Sequence, residues 1–244
     1  MAVGIEIAES DITVNGQPAF CAYPTKPGCY PSAVMLPDIF GLRELAREQA
    51  RRLARHGVVA LYLHPLRGTS AFEPAANVEE ARERCRPFVQ AVSVDQCMED
   101  LSEGVRLLLS RADVDPERVL LWGYCWGGSM VLRGASGVAD IAGVVVWHGI
   151  LRGEELSTAA NMKGPVLGLF GGIDELIPVT DVEALESACN EAGIPNDLHV
   201  FPEAPHSFCD DSRPVGYRKE ACEAAWKEVV AYLHRLKVAT SPSL

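Results

Sequence analysis

Residues 119–130 read VLLWGYCWGGSM, which is four apolar residues followed by a cysteine set between glycines. The apolar run predicts a short buried strand, and the segment after Gly128 can begin a helix. Gly123 and Gly127 flank Cys125 where the chain must turn, because larger side chains there would meet the neighbouring strand and helix. The stretch therefore predicts a strand, a sharp turn that carries Cys125, and a helix.

Similar apolar runs recur along the chain and alternate with amphipathic helical patterns. The predicted strands are SAVMLPDIFG (32–41), VVALYLHPL (58–66), VLLWGYC (119–125), AGVVVWHG (142–149), PVLGLFGGID (165–174) and DLHVFPEAPHSF (197–208). The predicted helices cover 42–57, 93–112, 180–193 and 216–236, with a loop at 113–118. This alternation indicates parallel βαβ units, hence an α/β fold with a mostly parallel central sheet and helices on both faces.

The ends of the chain complete the predicted organisation. Two short alternating segments surround Asn15 and Gly16, a pair that favours a hairpin turn. No linker divides the chain, so we expect one domain over residues 1–238. The last residues, 239–244, are expected to be a flexible tail.

The composition excludes several classes of partner. The 244 residues carry a formal net charge of −11, whereas binding to nucleic acid or to an anionic membrane depends on clustered Lys and Arg. We expect neither partner. The N-terminus lacks a basic and apolar leader, and no apolar run approaches the roughly 18 residues of a membrane span. A cytoplasmic protein whose eight cysteines stay reduced is therefore expected.

The cysteine spacing does not favour a metal site. The chain has no CxxC pair, so a structural zinc site is not expected. His206 and Cys209 have a spacing that metal ligands use, and a metal role for this pair is the minor alternative. We expect no metal and no organic cofactor.

Asp174 and His206 follow later predicted strands, at the sheet edge where parallel α/β sheets bind their ligands. The segment from Cys125 to Asp174 and the segment from Asp174 to His206 are each long enough for one βα unit. A nucleophile on a sharp strand-to-helix turn, followed in the chain by an acid and then a histidine, is typical of an α/β-hydrolase triad. In such a triad His206 exchanges a proton with the Cys125 thiol, and Asp174 orients the imidazole.

The position of Cys125 adds to this interpretation. A cysteine at a helix N-terminus faces unpaired backbone N–H groups, which favour the thiolate. The backbone N–H of Trp126, the next residue, is then placed to bind an oxyanion. The Trp126 side chain is expected beside the same pocket.

A structural reading of these residues stays open. A cysteine at a strand end is often only a small buried side chain, and Asp174 and His206 can equally be a surface-loop acid and a turn residue. His64 and His148 also end predicted strands and are interpreted as pocket walls at the same rim.

Four segments in order, LPDIFG, GYCWGG, GGIDELIP and EAPHSF, resemble the dienelactone hydrolase (carboxymethylenebutenolidase) family of α/β hydrolases. The resemblance runs from about residue 5 to residue 236. It implies an α/β-hydrolase fold and a Cys-Asp-His triad, with Cys125, Asp174 and His206 at the matching positions. It also implies an oxyanion hole formed by the backbone N–H groups of Ile39 and Trp126.

The resemblance suggests further site residues. Asp38 stands where the best-known members carry a Glu that interacts with the resting thiol, so Asp38 is a candidate for modulating Cys125. An Asp before FGLRELAREQ is alternatively a turn or helix cap. Family members that take dienelactone bind its carboxylate with arginines, and Arg82 matches one of them. The substrate-binding candidates are Arg82, Arg86, Phe40 and Ser207.

Two positions leave the substrate open. Arg82 and Arg86 would share one face of a helix, but with Arg84 they equally form a solvated charge run. Asp210 stands where the family carries its second arginine, and an acid there would repel an anionic lactone. Arg213 is a nearby replacement.

We therefore expect a carboxylic ester hydrolase that opens a dienelactone-type lactone or an ester through an acyl-cysteine intermediate. The alternatives are a general carboxylesterase or thioesterase for neutral esters, and a non-catalytic or redox-sensing module in which Cys125 is an oxidisable thiol. The expected partner is a small-molecule ester or lactone, and the expected assembly is a monomer or weak homodimer.

Overall fold

Eight strands form one sheet in the computed structural model, which describes residues 5–69, 71–72, 78–151 and 153–239. The strands are β1 (Ile7–Val14), β2 (Gln17–Pro24), β3 (Tyr30–Leu36), β4 (Val59–Leu63), β5 (Val114–Tyr124), β6 (Gly143–Trp147), β7 (Val166–Gly171) and β8 (Asn196–Phe201). Their order across the sheet is β1-β2-β4-β3-β5-β6-β7-β8. The pairs β1–β2 and β2–β4 are antiparallel and the other five are parallel. The predicted α/β-hydrolase fold is confirmed.

The predicted hairpin joins β1 and β2. Val14 pairs with Gln17 across a two-residue turn, and Asn15 and Gly16 have φ angles of 49° and 75°. Positive φ at both central positions is the geometry for which Asn-Gly is favoured, because it matches the twist of the two strands.

Helices cover both faces of the sheet. They are α1 (Glu44–Arg55), α2 (Val78–Ala91), α3 (Val94–Leu109), α4 (Trp126–Gly137), α5 (Glu154–Ser157), α6 (Val179–Glu191) and α7 (Lys219–Ala239), and a 3₁₀ turn covers Thr158–Asn161. Residues of α3, α4 and α6 share one apolar core with the sheet. Residues of α1 and α7 share the other.

Strand β5 shows why the apolar runs lack a polar face. Leu121 belongs to the core under α3, α4 and α6, whereas its neighbours Leu120 and Trp122 belong to the core under α1 and α7. Side chains alternate between the two faces, and both faces are buried. The carboxyl ends of β3, β5, β6, β7 and β8 consequently meet along one edge, where the predicted site residues follow them.

One local prediction differs from the structure, and one segment left uncertain by Pro87 is now defined. The segment 113–118 was expected to be a loop, but β5 already begins at Val114. Its pairing with β3 shifts register there, since Tyr30 faces Val114 whereas Ser32 faces Val119, and this bulge accommodates the extra residues. The segment around Arg82 forms helix α2, which continues through Pro87.

The C-terminal helix extends to Ala239, so the predicted tail begins inside the last turn of α7. Residues 240–244 lie outside the described residues. In the described part of the chain, no helix has the length and apolar character needed to cross a membrane.

The expectation that all eight cysteines are reduced is wrong for one pair. Cys209 and Cys222 form a disulfide with their Cα atoms 5.1 Å apart. The loop that follows His206 packs against the first turn of α7, and this contact brings the two residues within bonding reach. The other six cysteines are free thiols. Because Cys209 is bonded, the metal role considered for His206 and Cys209 is also excluded.

Candidate active site

Cys125 lies on the sharp turn between β5 and α4, as predicted. Its φ and ψ angles are 52° and −118°, a conformation that costs energy for a residue with a side chain and persists only where the surroundings enforce it. The Cys125 N–H donates to the Trp147 carbonyl at 2.9 Å. A Cβ at Gly123 would lie 2.2 Å from the Gly127 oxygen, and one at Gly127 would lie 2.4 Å from the Pro37 oxygen. Both glycines are therefore required by close backbone contacts.

The structure brings the three predicted triad side chains together. His206 Nδ1 lies 2.8 Å from Asp174 Oδ2, and His206 Nε2 lies 3.1 Å from Cys125 Sγ. The Asp174 carboxylate is fully buried, and its Oδ1 accepts hydrogen bonds from the backbone N–H groups of Leu176 and Ile177. One carboxylate oxygen is thus fixed by the backbone while the other holds the imidazole.

The charges around His206 favour its protonated form. Burial lowers the pKa of His206, but the nearby Cys125 sulfur and the hydrogen bond with Asp174 outweigh burial and raise the pKa well above its usual range. An imidazolium between a sulfur and a carboxylate is the arrangement in which a thiolate is held next to a proton donor.

A cleft of about 680 Å³ opens over Cys125 and His206. The predicted residues that line it are Asp38, Ile39, Phe40, Arg82, Arg86 and Ser207. Val89, Gln90, Ile150, Leu176 and Arg213 complete the lining. The cleft combines an apolar surface with three arginines, as a site for a small molecule with a charged group would.

The two amides predicted for the oxyanion hole belong to Ile39, which lines the cleft, and to Trp126, which directly follows Cys125. Within the described residues, neither the N–H of Ile39 nor that of Trp126 has a hydrogen-bond acceptor. Trp126 begins α4, and the first N–H groups of a helix have no acceptor within the helix. The expectation for the Trp126 side chain is wrong, because the indole packs half-buried against the core and does not line the cleft.

Asp38 is held by contacts other than Cys125. Its Oδ1 accepts from the backbone N–H of Phe40 at 2.9 Å, and its Oδ2 accepts from Arg43 at 3.0 Å. The first bond is the turn cap that the sequence left open as an alternative. The second places a buried guanidinium beside the cleft.

Asp210 does not face the cleft as a repulsive acid, contrary to expectation. It is 3% exposed, and its Oδ2 accepts from Arg43 at 2.8 Å and from Arg213 at 2.7 Å. Burial raises the pKa of Asp210, but Arg43, Ser212 and Arg213 together lower it below its ordinary value. The carboxylate therefore stays charged and holds Arg213 at the cleft wall.

The arginines of helix α2 extend in different directions. Arg82 and Arg86 line the cleft, whereas the Arg84 guanidinium lies over the Phe72 ring, 6.0 Å from its centroid. The Arg82 and Arg86 side chains also approach Glu79 and Glu83 of the same helix, at 3.5 and 3.6 Å. The charge run is thus partly solvated and partly directed at the cleft.

The two histidines predicted as pocket walls, His64 and His148, do not line the cleft and have structural partners. His64 accepts from the Leu42 N–H through Nδ1 at 3.1 Å, and its Nε2 lies 3.0 Å from the Thr69 carbonyl. His148 packs edge-on against His206 with ring centroids 4.8 Å apart, and its Nε2 lies 3.3 Å from Ser207 Oγ. His148 therefore supports the loop of the candidate triad, which the sequence did not reveal.

Sequence reasoning also missed Arg43. It lies near the start of the first predicted helix, where an arginine next to Glu44 is typical of an exposed face. In the structure it is 3% exposed and joins Asp38 to Asp210. The burial of Arg43 follows from its pairing with both Asp38 and Asp210. The positions of these residues along the chain do not reveal that pairing.

A group of potential metal ligands lies elsewhere. Within the described residues, Asp197, His199 and Glu228 have ligand atoms within 4.8 Å of one another. They belong to β8 and α7 and do not line the cleft, and Asp197 is also paired with Arg235.

Together, the parallel sheet, the strained turn and the acid–histidine–cysteine contact at its carboxyl edge are characteristic of an α/β hydrolase. The family model described as "Dienelactone hydrolase family" matches residues 18–237. A protein from Methylorubrum extorquens, named as a candidate carboxymethylenebutenolidase, is 32% identical over 230 residues, which cover 91% of this chain and 78% of that protein. The chain belongs to the dienelactone hydrolase family, whose members are hydrolases of lactone or ester bonds.

Other relatives agree with this assignment. A Yersinia pestis protein, also named as a candidate carboxymethylenebutenolidase, is 29% identical, and the match covers 98% of this chain and 92% of that protein. A crystal structure of a candidate dienelactone hydrolase from Klebsiella pneumoniae superposes with a TM-score of 0.83 at 27% identity, over 94% of this chain and 99% of that one. The likeness thus extends over nearly the whole of each chain.

Proposed function

We propose that the protein hydrolyses lactones or carboxylic esters that carry a carboxylate, through an acyl-enzyme formed on Cys125. The observation that carries the proposal is the continuous contact from Asp174 to His206 at 2.8 Å and from His206 to Cys125 at 3.1 Å. Three residues far apart in sequence come together at a strained turn, and backbone strain of this kind clusters at active sites.

In the first step the Cys125 thiolate attacks the carbonyl carbon of the substrate. The carbonyl oxygen becomes an oxyanion, to which the N–H groups of Ile39 and Trp126 donate. When the tetrahedral intermediate collapses, the C–O bond breaks and the imidazolium of His206 protonates the departing oxygen. The product is a thioester on Cys125, and a lactone leaves its alcohol or enol on the same acyl chain.

In the second step water attacks the thioester carbonyl. Neutral His206 takes the proton of this water, the same amides hold the oxyanion, and the C–S bond breaks to release the carboxylic acid. The thiolate and the imidazolium are thereby restored. Asp174 keeps Nδ1 of the ring protonated throughout, so that Nε2 faces the reacting atoms.

The charge of the cleft favours an anionic substrate. Arg82, Arg86 and Arg213 reach its wall, and Asp210, the acid that would repel an anion, is buried and paired with Arg43 and Arg213. An arginine binds a carboxylate through two parallel N–H donors, which fixes the substrate's orientation as well as its affinity. Arg213 thus takes the part that the family gives to an arginine at the position of Asp210.

A neutral ester is the second candidate. The cleft also presents apolar side chains of Phe40, Val89, Ile150 and Leu176, which would bind an uncharged acyl or aryl group through burial alone. Asp38, which also lines the cleft, would favour such an uncharged substrate by repelling a negative charge.

Steady-state kinetics with a carboxylated dienelactone and with a neutral aryl ester distinguish the two candidates. We expect a higher kcat/KM for the carboxylated lactone, and loss of activity toward both substrates in Cys125→Ala. A strong preference for the neutral ester would reject the anionic substrate. Undiminished hydrolysis by Cys125→Ala would reject the acyl-cysteine mechanism itself.

A further inference from the structure

Two buried polar groups beside the candidate triad have no hydrogen-bond partner among the residues that the structure describes. They are Nδ1 of His148 and the hydroxyl of Tyr124, in residues that are each 4% exposed. Buried polar atoms are almost always paired, because leaving one unpaired forfeits its interaction with water. Two such atoms near one site therefore call for a common explanation.

The two residues that carry these groups, Tyr124 and His148, line the same small cavity. It has a volume of about 20 Å³, and its walls include Asp38, Gln49 and Ser207 besides Tyr124 and His148. Asp38 and Ser207 also line the cleft over Cys125, so the cavity adjoins it. A single water molecule needs roughly 10–15 Å³ and two to four polar partners. The cavity is large enough for one water and too small for a larger ligand, and its lining includes the polar residues Gln49, Tyr124, His148 and Ser207.

The hydroxyl of Tyr124 needs an acceptor. The Trp122 indole N–H approaches the Tyr124 oxygen without a well-formed hydrogen bond. An N–H donor would in any case leave the phenol proton unpaired. A water in the cavity supplies the acceptor.

We propose that this cavity is a binding site for one ordered water, which accepts from Tyr124, hydrogen-bonds Nδ1 of His148 and thereby positions Ser207 in the cleft. His148 and Tyr124 are then positioning residues that act through Ser207. The role of Ser207 toward the substrate rests on the function proposed above, whereas the water site rests on the cavity and its two unpaired groups.

The connection from water to Ser207 follows from the chemistry of His148. Its burial, with the charges of His206 and Arg213, holds the pKa of His148 well below its usual value, so the imidazole is neutral and has one donor and one acceptor nitrogen. Nε2 is 3.3 Å from Ser207 Oγ. The partner of Nδ1 therefore decides which nitrogen carries the proton, and so whether the Ser207 hydroxyl donates or accepts at Nε2.

The backbone around this connection is held under strain. His148 has a φ angle of 39° and Ser207 a φ angle of 58°, values that side-chain-bearing residues rarely adopt. Ser207 immediately follows His206 in the chain, and Tyr124 immediately precedes Cys125. The water thus joins the two turns that carry the reacting side chains, and its loss would be expected to affect substrate binding more than the chemical step.

A high-resolution crystal structure tests the water site directly. We expect electron density for one water within hydrogen-bond distance of His148 Nδ1 and Tyr124 Oη, and no water at that position in Tyr124→Phe. A cavity without such density, or with both groups bonded to protein atoms, would overturn the proposal. This result does not depend on whether Cys125 is the nucleophile, so it separates failure of the water site from failure of the proposed function.

A double-mutant cycle tests the positioning role. Tyr124→Phe is expected to raise KM for the carboxylated lactone about fivefold and to leave kcat within about twofold, the loss typical of one neutral hydrogen bond. In a Ser207→Ala background the same substitution should have no further effect. Tyr232→Phe is the matched control, because this buried hydroxyl donates to the Pro165 carbonyl away from the cleft. Additive effects of Tyr124→Phe and Ser207→Ala would overturn the positioning role.

Discussion

The Nε of Arg213 donates to Oδ2 of Asp210 at 2.7 Å. This pair explains how the chain tolerates an acid at a position where the resemblance to dienelactone hydrolases implies an arginine. Asp210 does not present its charge to the cleft, since Arg43 holds the same carboxylate oxygen at 2.8 Å. The acid orients a neighbouring cation, and Arg213 lines the cleft in its place.

Arg213→Ala is expected to weaken binding of an anionic substrate. Loss of one charge-assisted hydrogen bond corresponds to about 1.5–3 kcal/mol, so KM for a carboxylated lactone should rise at least about tenfold. KM for a neutral aryl ester should change little. Steady-state kinetics with both substrates measure the difference.

Arg84→Ala is the matched control for cleft arginines. Arg84 lies on α2 between Arg82 and Arg86, but its guanidinium lies over the Phe72 ring and it does not line the cleft. We expect Arg82→Ala to raise KM for the carboxylated lactone and Arg84→Ala to leave it unchanged. If the two substitutions raise KM equally, the helix promotes substrate binding only through its overall positive charge and not through a direct contact of Arg82.

Asp174→Asn is expected to lower kcat by roughly 10²–10⁴-fold while the protein remains folded. The Asn side chain can keep an acceptor for the N–H groups of Leu176 and Ile177, but its amide donates toward Nδ1 of His206 and favours the wrong tautomer. Circular dichroism and kcat on one substrate test this. A variant with nearly normal kcat would remove Asp174 from the mechanism.

The pKa of His206 should fall in Cys125→Ala. Cys125 is the largest of the contributions that raise this pKa, followed by the hydrogen bond with Asp174. Because the raised pKa keeps the imidazole protonated, the alkaline limb of kcat/KM for the intact protein should lie above the ordinary histidine value of about 6.5. NMR titration of His206 in both proteins checks the direction. An unchanged pKa would show that the sulfur and the imidazole do not interact.

The disulfide between Cys209 and Cys222 should stabilise the fold. It closes a loop with a sequence separation of 13, for which the loss of chain entropy in the unfolded state is worth about 3 kcal/mol. Cys222→Ala should lower the free energy of unfolding by about this amount without reductant, and much less with it. Cys29→Ser, at an exposed free thiol, is the control. Equal urea unfolding curves with and without reductant would contradict the prediction.

The sequence was sufficient to predict the sheet and the proximity of Cys125, Asp174 and His206, because both depend on local signals. The run before Gly123 is apolar at every position, as a strand buried on both faces requires. Asp174 and His206 each follow such a run. Because the carboxyl ends of parallel strands lie at one edge of the sheet, both residues are expected near Cys125 even before their contacts are known. Gly127 is explained by a carbonyl of the Pro37 turn, which only the structure identifies.

The surroundings of the site could not be predicted in the same way. The burial of Arg43 depends on two acids 172 positions apart in the chain, Asp38 and Asp210, and no periodic pattern encodes such a contact. The same holds for the disulfide, since the spacing of Cys209 and Cys222 does not show that their segments pack together. The bulge at the start of β5 was missed because Pro116 and the charged residues beside it are typical of a loop.

The measurement that tests the central claim most directly is intact-protein mass spectrometry after rapid mixing with a slowly hydrolysed ester, followed by peptide mapping. We predict one acyl group per chain, carried by the peptide that contains Cys125, and none in Cys125→Ala. His206→Ala should acylate much more slowly. Hydrolysis that proceeds with no acyl group on Cys125, or acylation that persists in Cys125→Ala, would contradict the mechanism.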